Sequence, residues 1–205
     1  MFESVLSHEQ MALAERLLPH LGSFYLVGGT ALALQLGHRR SLDFDLACYK
    51  QVRPFDIERK LLSLGFSIQS VFTASSDDFS VLIEGTRVTF FSFPFDIDHN
   101  ITWEKGQITL PGLIELGAMK AYALSRRSKW KDYVDLYFLF NFKITLHQLI
   151  EKAKEIFLSH FNSKLFREQL CYFEDIDHSE TVEYIDYAPQ DREIKEFLQG
   201  IAVKL

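Results

Sequence analysis

The chain has 205 residues, of which 47% are hydrophobic and 24% charged, and this composition predicts a globular protein with a real core. The formal net charge of −6 disfavours a protein that coats nucleic acid non-specifically, because such proteins are usually basic overall. No hydrophobic run approaches 18 residues and no signal peptide is evident, so we expect no membrane span and a cytoplasmic location. Cys48 and Cys171 lack metal-ligand spacing and are interpreted as reduced thiols.

The chain begins with a predicted helix and a predicted strand. Residues 7–22 carry hydrophobic side chains at helical spacing, and Ser7 with Gln10 three residues later forms a capping box at the start. The sequence FYLV (24–27) is a short hydrophobic run near glycines, which predicts a buried strand.

Two glycines and two aspartates follow within a short stretch. Gly28-Gly29 predicts a turn, after which a helix begins with Thr30 near its N-cap. Residues 42–49, LDFDLACY, alternate polar and hydrophobic side chains, as strands do. Because strand side chains repeat every second residue, Asp43 and Asp45 are predicted to project from the same face.

The rest of the chain divides into strands and then helices. An amphipathic helix is predicted over residues 53–65, and strands are predicted over residues 66–74, 78–85 and 86–95. Helical periodicity then dominates, with helices predicted over residues 111–127, 131–142 and 145–161. We therefore predict an α/β core over residues 1–107 and a helical region over residues 108–205 packed on it.

The paired aspartates predict a metal–nucleotide site. Two carboxylates this close repel each other unless one is protonated, and a divalent cation removes that conflict. Mg²⁺ is usually held by one or two carboxylates together with substrate phosphates. The glycine turn opens a helix whose free N–H groups suit a phosphate. A metal beside a phosphate cradle indicates phosphoryl or nucleotidyl transfer.

Two stretches carry a family resemblance. The pattern hydrophobic-Gly-Gly, a gap, then Asp-hydrophobic-Asp-hydrophobic resembles the DNA polymerase β-like nucleotidyltransferase superfamily. More closely, LVGGTALALQLGHRRSLDFDL (26–46) is similar to the first motif of the AbiEii/AbiGii toxins, bacterial nucleotidyltransferase-like proteins of abortive infection and type IV toxin–antitoxin systems. MKAYALSRRSKWKDYVDLYFL (119–139) is similar to their later motif, a helical Lys followed by an Arg-rich turn and an Asp-containing helix. The resemblance implies a mixed β-sheet flanked by helices.

The resemblance also implies roles for individual residues. The phosphates of the nucleoside triphosphate (NTP) would be bound by Gly28, Gly29 and Thr30. Asp43 and Asp45 would be catalytic and would bind Mg²⁺ or Mn²⁺.

The later motif would complete the catalytic set. Lys120 would contact the triphosphate or the outgoing pyrophosphate, and Asp132 would act as a base or would orient Lys120. Asp135 lies three residues on and is predicted to share a helical face with Asp132.

Two basic clusters are further candidates for nucleotide binding. Before the Asp pair come His38, Arg39 and Arg40, which would neutralise a phosphate or hold the Asp pair, or else form a solvated loop. The resemblance favours function for His38 and Arg39. The second cluster is a candidate site for a triphosphate or a nucleic-acid end, or else a solvated charged face, and consists of Arg126, Arg127, Lys129 and Lys131.

One residue departs from the family pattern, and one segment carries no recognised motif. Active members of the superfamily generally carry a third acidic residue on a later strand, where this chain has Thr89, and Glu84 is a candidate substitute. The segment CYFEDIDHSETVEYIDY (171–187) is acidic and aromatic. It is interpreted as a solvated loop, with nucleic-acid mimicry or partner docking as the alternatives.

Three functions follow as hypotheses. The first is a Mg²⁺-dependent toxin that transfers a nucleoside monophosphate from an NTP to a hydroxyl of tRNA, another RNA or a protein, with a cognate antitoxin as partner. The second is a nucleotide- or partner-binding module that has lost catalysis, motivated by Thr89. The third is a small-molecule enzyme of the antibiotic-modifying kind, for which an acidic pocket is expected because aminoglycosides are cationic.

Overall fold

The computed structural model describes residues 1–142 and 144–204. Lys143 and Leu205 fall in the predicted helical region and lie outside the described residues. The α-helices are α1 His8–Leu17, α2 Gly28–Leu36, α3 Pro54–Ser63, α4 Leu113–Leu124, α5 Trp130–Asn141, α6 Leu146–Phe157, α7 Ser163–Gln169 and α8 Asp191–Ala202. The strands are β1 Tyr25–Val27, β2 Asp43–Cys48, β3 Ile68–Ala74, β4 Asp78–Ile83, β5 Thr86–Ser92, β6 Ile101–Trp103 and β7 Ile108–Leu110.

The first helix begins where the sequence predicts and ends earlier. The side chain of Ser7 accepts from the backbone N–H of Gln10, and the Gln10 side chain accepts from the backbone of Ser7, which confirms the capping box. Pro19 lacks a backbone N–H and cannot continue the α-helical bonding, so the last predicted turns become a 3₁₀-helix over Leu18–His20.

Five strands form a mixed sheet in the order β1-β2-β5-β4-β3. β2 and β5 are parallel, and the other neighbouring pairs are antiparallel. The parallel pair aligns Asp43 with Arg87 and Asp45 with Thr89. The predicted mixed sheet is therefore confirmed. The neighbouring strands β2 and β5 place these polar residues side by side.

The helices of the second half pack against the sheet region through one hydrophobic core. On β2 the core side is formed by Phe44 and Leu46, which are fully buried. Tyr133 and Leu136 of α5 are also fully buried and belong to the same core. The sequence thus alternates core and site residues along β2, and α5 brings both kinds of residue to the interface.

Two parts of the second half differ from the prediction. Strands β6 and β7 pair as a small antiparallel hairpin, which the sequence did not reveal because each strand has only three residues. The predicted boundary at residue 107 falls between these strands, and the division into two regions stays a prediction. Residues 171–190 form no helix, so the predicted helical region over residues 108–205 is interrupted there. This segment alternates acidic and hydrophobic residues without helical periodicity.

Two findings bear on the environment of the chain. No helix among the described residues is long and hydrophobic enough to cross a membrane. Cys48 is buried, Cys171 is partly exposed, and both are free thiols.

Candidate active site

Asp43 and Asp45 lie on the same face of β2, as the alternation predicts. Both side chains line a cavity of about 270 Å³, whereas the intervening Phe44 points into the core. Across the cavity are α4 and α5, which contribute Lys120 and Asp132 to its lining. The strand and the helical half therefore meet at the two carboxylates.

The glycine turn is shaped by its contact with Asp45. Helix α2 begins at Gly28 itself, whose φ of +70° lies in the left-handed region that disfavours other residues. A Cβ atom on Gly28 would lie 2.3 Å from Oδ2 of Asp45, and one on Gly29 would lie 2.6 Å from Nη2 of Arg39. Glycine is therefore required where the start of α2 meets the carboxylate.

Thr30 occupies a different place from the one predicted. It lies inside the first turn of α2 rather than at the N-cap, which is Val27, and it is only 1% exposed. Its hydroxyl donates to the backbone carbonyl of Asp43 and lies 2.7 Å from the hydroxyl of Ser41. Thr30 thus fixes the start of β2 against α2.

The two aspartates form a donor set that suits a hard divalent cation. Burial raises the pKa of Asp43, and burial together with the Asp43 charge raises the pKa of Asp45. A bound cation would remove this repulsion and keep both groups ionised. Among the described residues no group of three or more His, Cys, Asp or Glu side chains could hold a metal, so substrate oxygens would supply the remaining ligands.

Lys120 is buried between two carboxylates of α5. Its Nζ lies 2.6 Å from Oδ1 of Asp132 and 2.7 Å from Oδ2 of Asp135. The two acids are three residues apart and face the same lysine, which confirms that they share a helical face. The second oxygen of Asp132 accepts from Nε of Arg127 at 3.2 Å.

His38 and Arg39 are tied to Asp135 rather than to the Asp pair. Arg39 makes a bidentate contact, with Nε 2.7 Å from Oδ1 and Nη2 2.9 Å from Oδ2 of Asp135. Nε2 of His38 lies 2.8 Å from the same Oδ1. Burial raises the pKa of Asp135, but the charges of Arg39 and Lys120 outweigh burial and hold this pKa well below its usual range.

The two basic clusters differ in which of their members line the cavity. Arg39 lines the cavity although it is buried, whereas His38 does not line it, and burial lowers the pKa of His38. Arg40 lies outside and pairs with Glu183 at 2.7 Å. From the second cluster, Arg127, Lys129 and Lys131 line the cavity.

A second cavity adjoins the first. This cleft of about 470 Å³ shares Asp45, Lys120 and Arg127 with the polar cavity. The rest of its wall is mainly hydrophobic and aromatic, including Phe91, Phe93, Leu116, Met119 and Tyr122. Arg126 lies at its edge, with its guanidinium carbon 3.6 Å from the centre of the Tyr122 ring.

Thr89, where the resemblance implies a third acid, pairs in register with Asp45. Glu84 is not its substitute, because it sits beyond the end of β4 with a φ of +50° and pairs with Arg16 at 3.0 Å. Asp78 at the start of β4 lines both cavities instead. Its Oδ1 is buried without a hydrogen-bond partner among the described residues. Sequence reasoning missed Asp78, because only the strand pairing shows that it faces this site.

The family follows from comparison with known proteins. Residues 93–202, just over half of the chain, match the model for the nucleotidyl transferase AbiEii toxin of type IV toxin–antitoxin systems. The chain belongs to the AbiEii nucleotidyltransferase toxin family. The match to the AbiEii model includes Lys120 and Asp132, whereas the Asp43–Asp45 pair lies outside the matched residues.

Relatives of this AbiEii-family chain extend over most of its length. An uncharacterized protein of Aquifex aeolicus is 32% identical over 182 residues, which cover 86% of this chain and 84% of that protein. The MenT4 nucleotidyltransferase toxin of Mycobacterium tuberculosis has a TM-score of 0.59 at 15% identity, covering 99% of this chain and 88% of that one. A candidate nucleotidyltransferase of H. pylori gives 0.57 at 16% identity, with 98% and 93% covered. These two structures share the fold.

Proposed function

We propose that this AbiEii-family protein transfers a nucleoside monophosphate from an NTP to a hydroxyl acceptor with the help of Mg²⁺ or Mn²⁺. The observation that carries the proposal is the meeting of Asp43 and Asp45 with the Lys120–Asp132 pair in one cavity, beside the glycine-started helix α2. Those elements are distant in sequence. Side chains that were merely solvated would have no reason to come together in one cavity.

In the proposed reaction the acceptor oxygen attacks the α-phosphorus of the NTP. A bond forms between them, the bond from the α-phosphorus to the bridging oxygen breaks, and pyrophosphate leaves. A divalent cation held by Asp43 and Asp45 would supply charge neutralisation at the phosphates. The positive end of α2, at Gly28 and Gly29, lies beside Asp45 and suits the phosphate oxygens.

Lys120 and Asp132 take complementary parts in this scheme. Lys120 reaches both cavities and would stabilise the negative charge of the departing pyrophosphate. Both oxygens of Asp132 already bind cations, Lys120 and Arg127, so Asp132 suits the orientation of Lys120 better than the role of base. Asp45 lines both cavities and forms no ion pair among the described residues, so it is the better acceptor for the hydroxyl proton.

The aromatic cleft offers a place for the nucleoside. Its wall of Phe93, Met119 and Tyr122 suits a flat base, and Arg126 stacked on Tyr122 extends that surface. The Oδ1 of Asp78, which has no partner among the described residues, would accept a hydrogen bond from a base amino group or a ribose hydroxyl. The polar cavity on the other side of Asp45 would then hold the triphosphate and the acceptor end.

The proposed acceptor is tRNA or another RNA, and the proposed regulator is a cognate antitoxin. The family supports a toxin of a type IV toxin–antitoxin system. The cations Arg127, Lys129 and Lys131 at the polar cavity suit phosphate-bearing acceptors and disfavour a cationic aminoglycoside. A protein acceptor stays an alternative outcome of the same test.

The test is label transfer from each of the four NTPs, labelled at the α-phosphate, to total bacterial RNA and protein with Mg²⁺. The expected result is labelled RNA with the wild type and none with the variant Asp43→Asn, Asp45→Asn. Glu183→Gln is the matched control, because it removes one exposed carboxylate outside the cavity. Labelled RNA from the double variant would refute the assignment of the Asp pair.

A catalytically impaired nucleotide-binding module is the second candidate, favoured by Thr89 beside Asp45. For this candidate, calorimetry would detect NTP binding while no acceptor receives label. Thr89→Asp would place a third carboxylate next to Asp45, and transfer that appears only in this variant would support the impaired module.

A further inference from the structure

The segment between α7 and α8 contains no helix and places Glu180 at the polar cavity, and residues 171–190 are called the strap here. At one point the backbone of Asp177 donates to the carbonyl of Ser128 at 2.7 Å and accepts from Trp130 at 3.0 Å. At a second point the Arg40 N–H donates to the carbonyl of Glu183 at 2.8 Å. The strap is therefore fixed on both sides of residues 178–182.

Glu180 is the middle residue of that span, and it reaches the cavity. Its carboxylate pairs with Nζ of Lys129 and lies 3.0 Å from Nζ of Lys131. Partial burial raises the pKa of Glu180, but the two lysines outweigh burial and lower the pKa to about 2. Glu180 is thus a bound anion under ordinary conditions.

The negative charge of Glu180 disfavours the ionised form of Asp43 that would bind a metal. Glu180 lines the same cavity as Asp43 and Asp45, and its charge adds to the raised pKa of Asp43. A carboxylate there neutralises two lysines that would otherwise attract a phosphate. The other acidic residues at the cavity have different surroundings. Asp43 and Asp45 form the Asp pair, Asp132 binds Lys120, and Asp78 lies on β4.

We propose that Lys129 and Lys131 form a phosphate-binding site at the mouth of the cavity, which Glu180 occupies in the free protein and a substrate phosphate occupies in its place. This proposal rests on the proposed function, because that function supplies the phosphate. The phosphate belongs either to the NTP or to the RNA acceptor. A phosphate group carries oxygens like those of a carboxylate, and two such cations at one site suit it.

The exchange needs only local movement. The backbone bonds at Asp177 and Glu183 do not involve Glu180, so its side chain can leave the lysines while those bonds stay formed. Partly exposed ion pairs contribute little net stability, and the side chains of Glu180 and Lys129 are 38% and 37% exposed. Its displacement therefore opposes phosphate binding only weakly, which makes Glu180 a competitor and not a permanent block.

Binding without catalysis tests the proposal. Tripolyphosphate and bulk tRNA are titrated separately in EDTA and low salt into the wild type, Glu180→Gln and the matched control Glu183→Gln. Removal of the competing carboxylate is expected to tighten binding of at least one probe by about twofold to fivefold, whereas Glu183→Gln stays close to the wild type. Tighter tripolyphosphate binding assigns the site to the NTP, and tighter tRNA binding alone assigns it to the acceptor.

A second set of variants shows whether the effect passes through the lysines. In a Lys129→Ala, Lys131→Ala background, Glu180→Gln is expected to change neither affinity. Equal tightening in that background, equal tightening in Glu183→Gln, or no tightening of either probe would overturn the proposal. Because EDTA prevents transfer in all samples, a failure of the proposed catalysis does not affect these results.

Discussion

Replacement of Asp135 by Asn separates a structural carboxylate from the proposed catalytic ones. Asp135 is fully buried and accepts from Arg39 at 2.7 and 2.9 Å and from His38 at 2.8 Å. It also pairs with Lys120 at 2.7 Å. The variant Asp135→Asn keeps the shape of the side chain but leaves Arg39 buried without an opposite charge.

The expected cost follows from that uncompensated charge. Removal of one partner of a buried ion pair typically lowers the free energy of unfolding by about 3–5 kcal/mol. For a chain of this size, about 1 kcal/mol changes the melting temperature by about 2–4 °C. We therefore expect Asp135→Asn to melt about 6–20 °C below the wild type.

Thermal unfolding followed by circular dichroism measures this difference. Asp43→Asn is the matched control, since it makes the same chemical change at a carboxylate that forms no ion pair among the described residues. Its melting temperature is expected to stay near or above that of the wild type, because it removes repulsion. A melting temperature for Asp135→Asn within about 2 °C of the wild type would refute the reasoning, because so small a change corresponds to about 1 kcal/mol or less.

Further predictions concern the site and the strap. Asp45→Asn is expected to reduce label transfer by about 100-fold or more without lowering the melting temperature, because it removes a ligand of the proposed metal site and a repulsive charge together. Gly28→Ala combines a positive φ, worth about 1–2 kcal/mol, with a Cβ 2.3 Å from Asp45, so unfolding by urea should show a larger loss than Gly65→Ala, where φ is +84° in open space. Asp78→Ala removes the acceptor and is expected to raise the KM for the NTP by about tenfold with little change in kcat, and an unchanged KM would remove Asp78 from the nucleoside site. The Glu180 ion pairs stabilise the protein above its usual pKa of 4.5 and lose this effect as the pH falls towards 2. The difference in melting temperature between the wild type and Glu180→Gln should accordingly be constant from pH 7 to about 5.5 and vanish near pH 2.

The periodicity of a single strand or helix was sufficient to predict the parts of the site that depend on residues close in sequence. The alternation in β2 predicted the shared face of Asp43 and Asp45, and the helical spacing predicted that of Asp132 and Asp135. Both conclusions need only the geometry of one strand or one helix.

Features that depend on pairing between distant segments were not predictable in the same way. Asp78 reaches the site only through the order β2-β5-β4, and the partner of Arg39 lies 96 residues away on α5. Thr30 was predicted at the N-cap because the two glycines indicate a turn, whereas Gly28 at positive φ already begins the helix. Gly28 approaches Asp45 closely at that earlier start. The periodicity of the sequence carries no information about such contacts.

The Arg39–Asp135 pair joins the segment just before β2 to a helix in the second half of the chain. A nascent chain that has been synthesised only as far as residue 119 contains the Asp pair but neither Lys120 nor the partner that fixes Arg39. Under the proposed function, the protein would acquire its toxicity late in translation, after α5 has left the ribosome. Truncated products that end before α5 are therefore expected to be harmless to the cell that makes them.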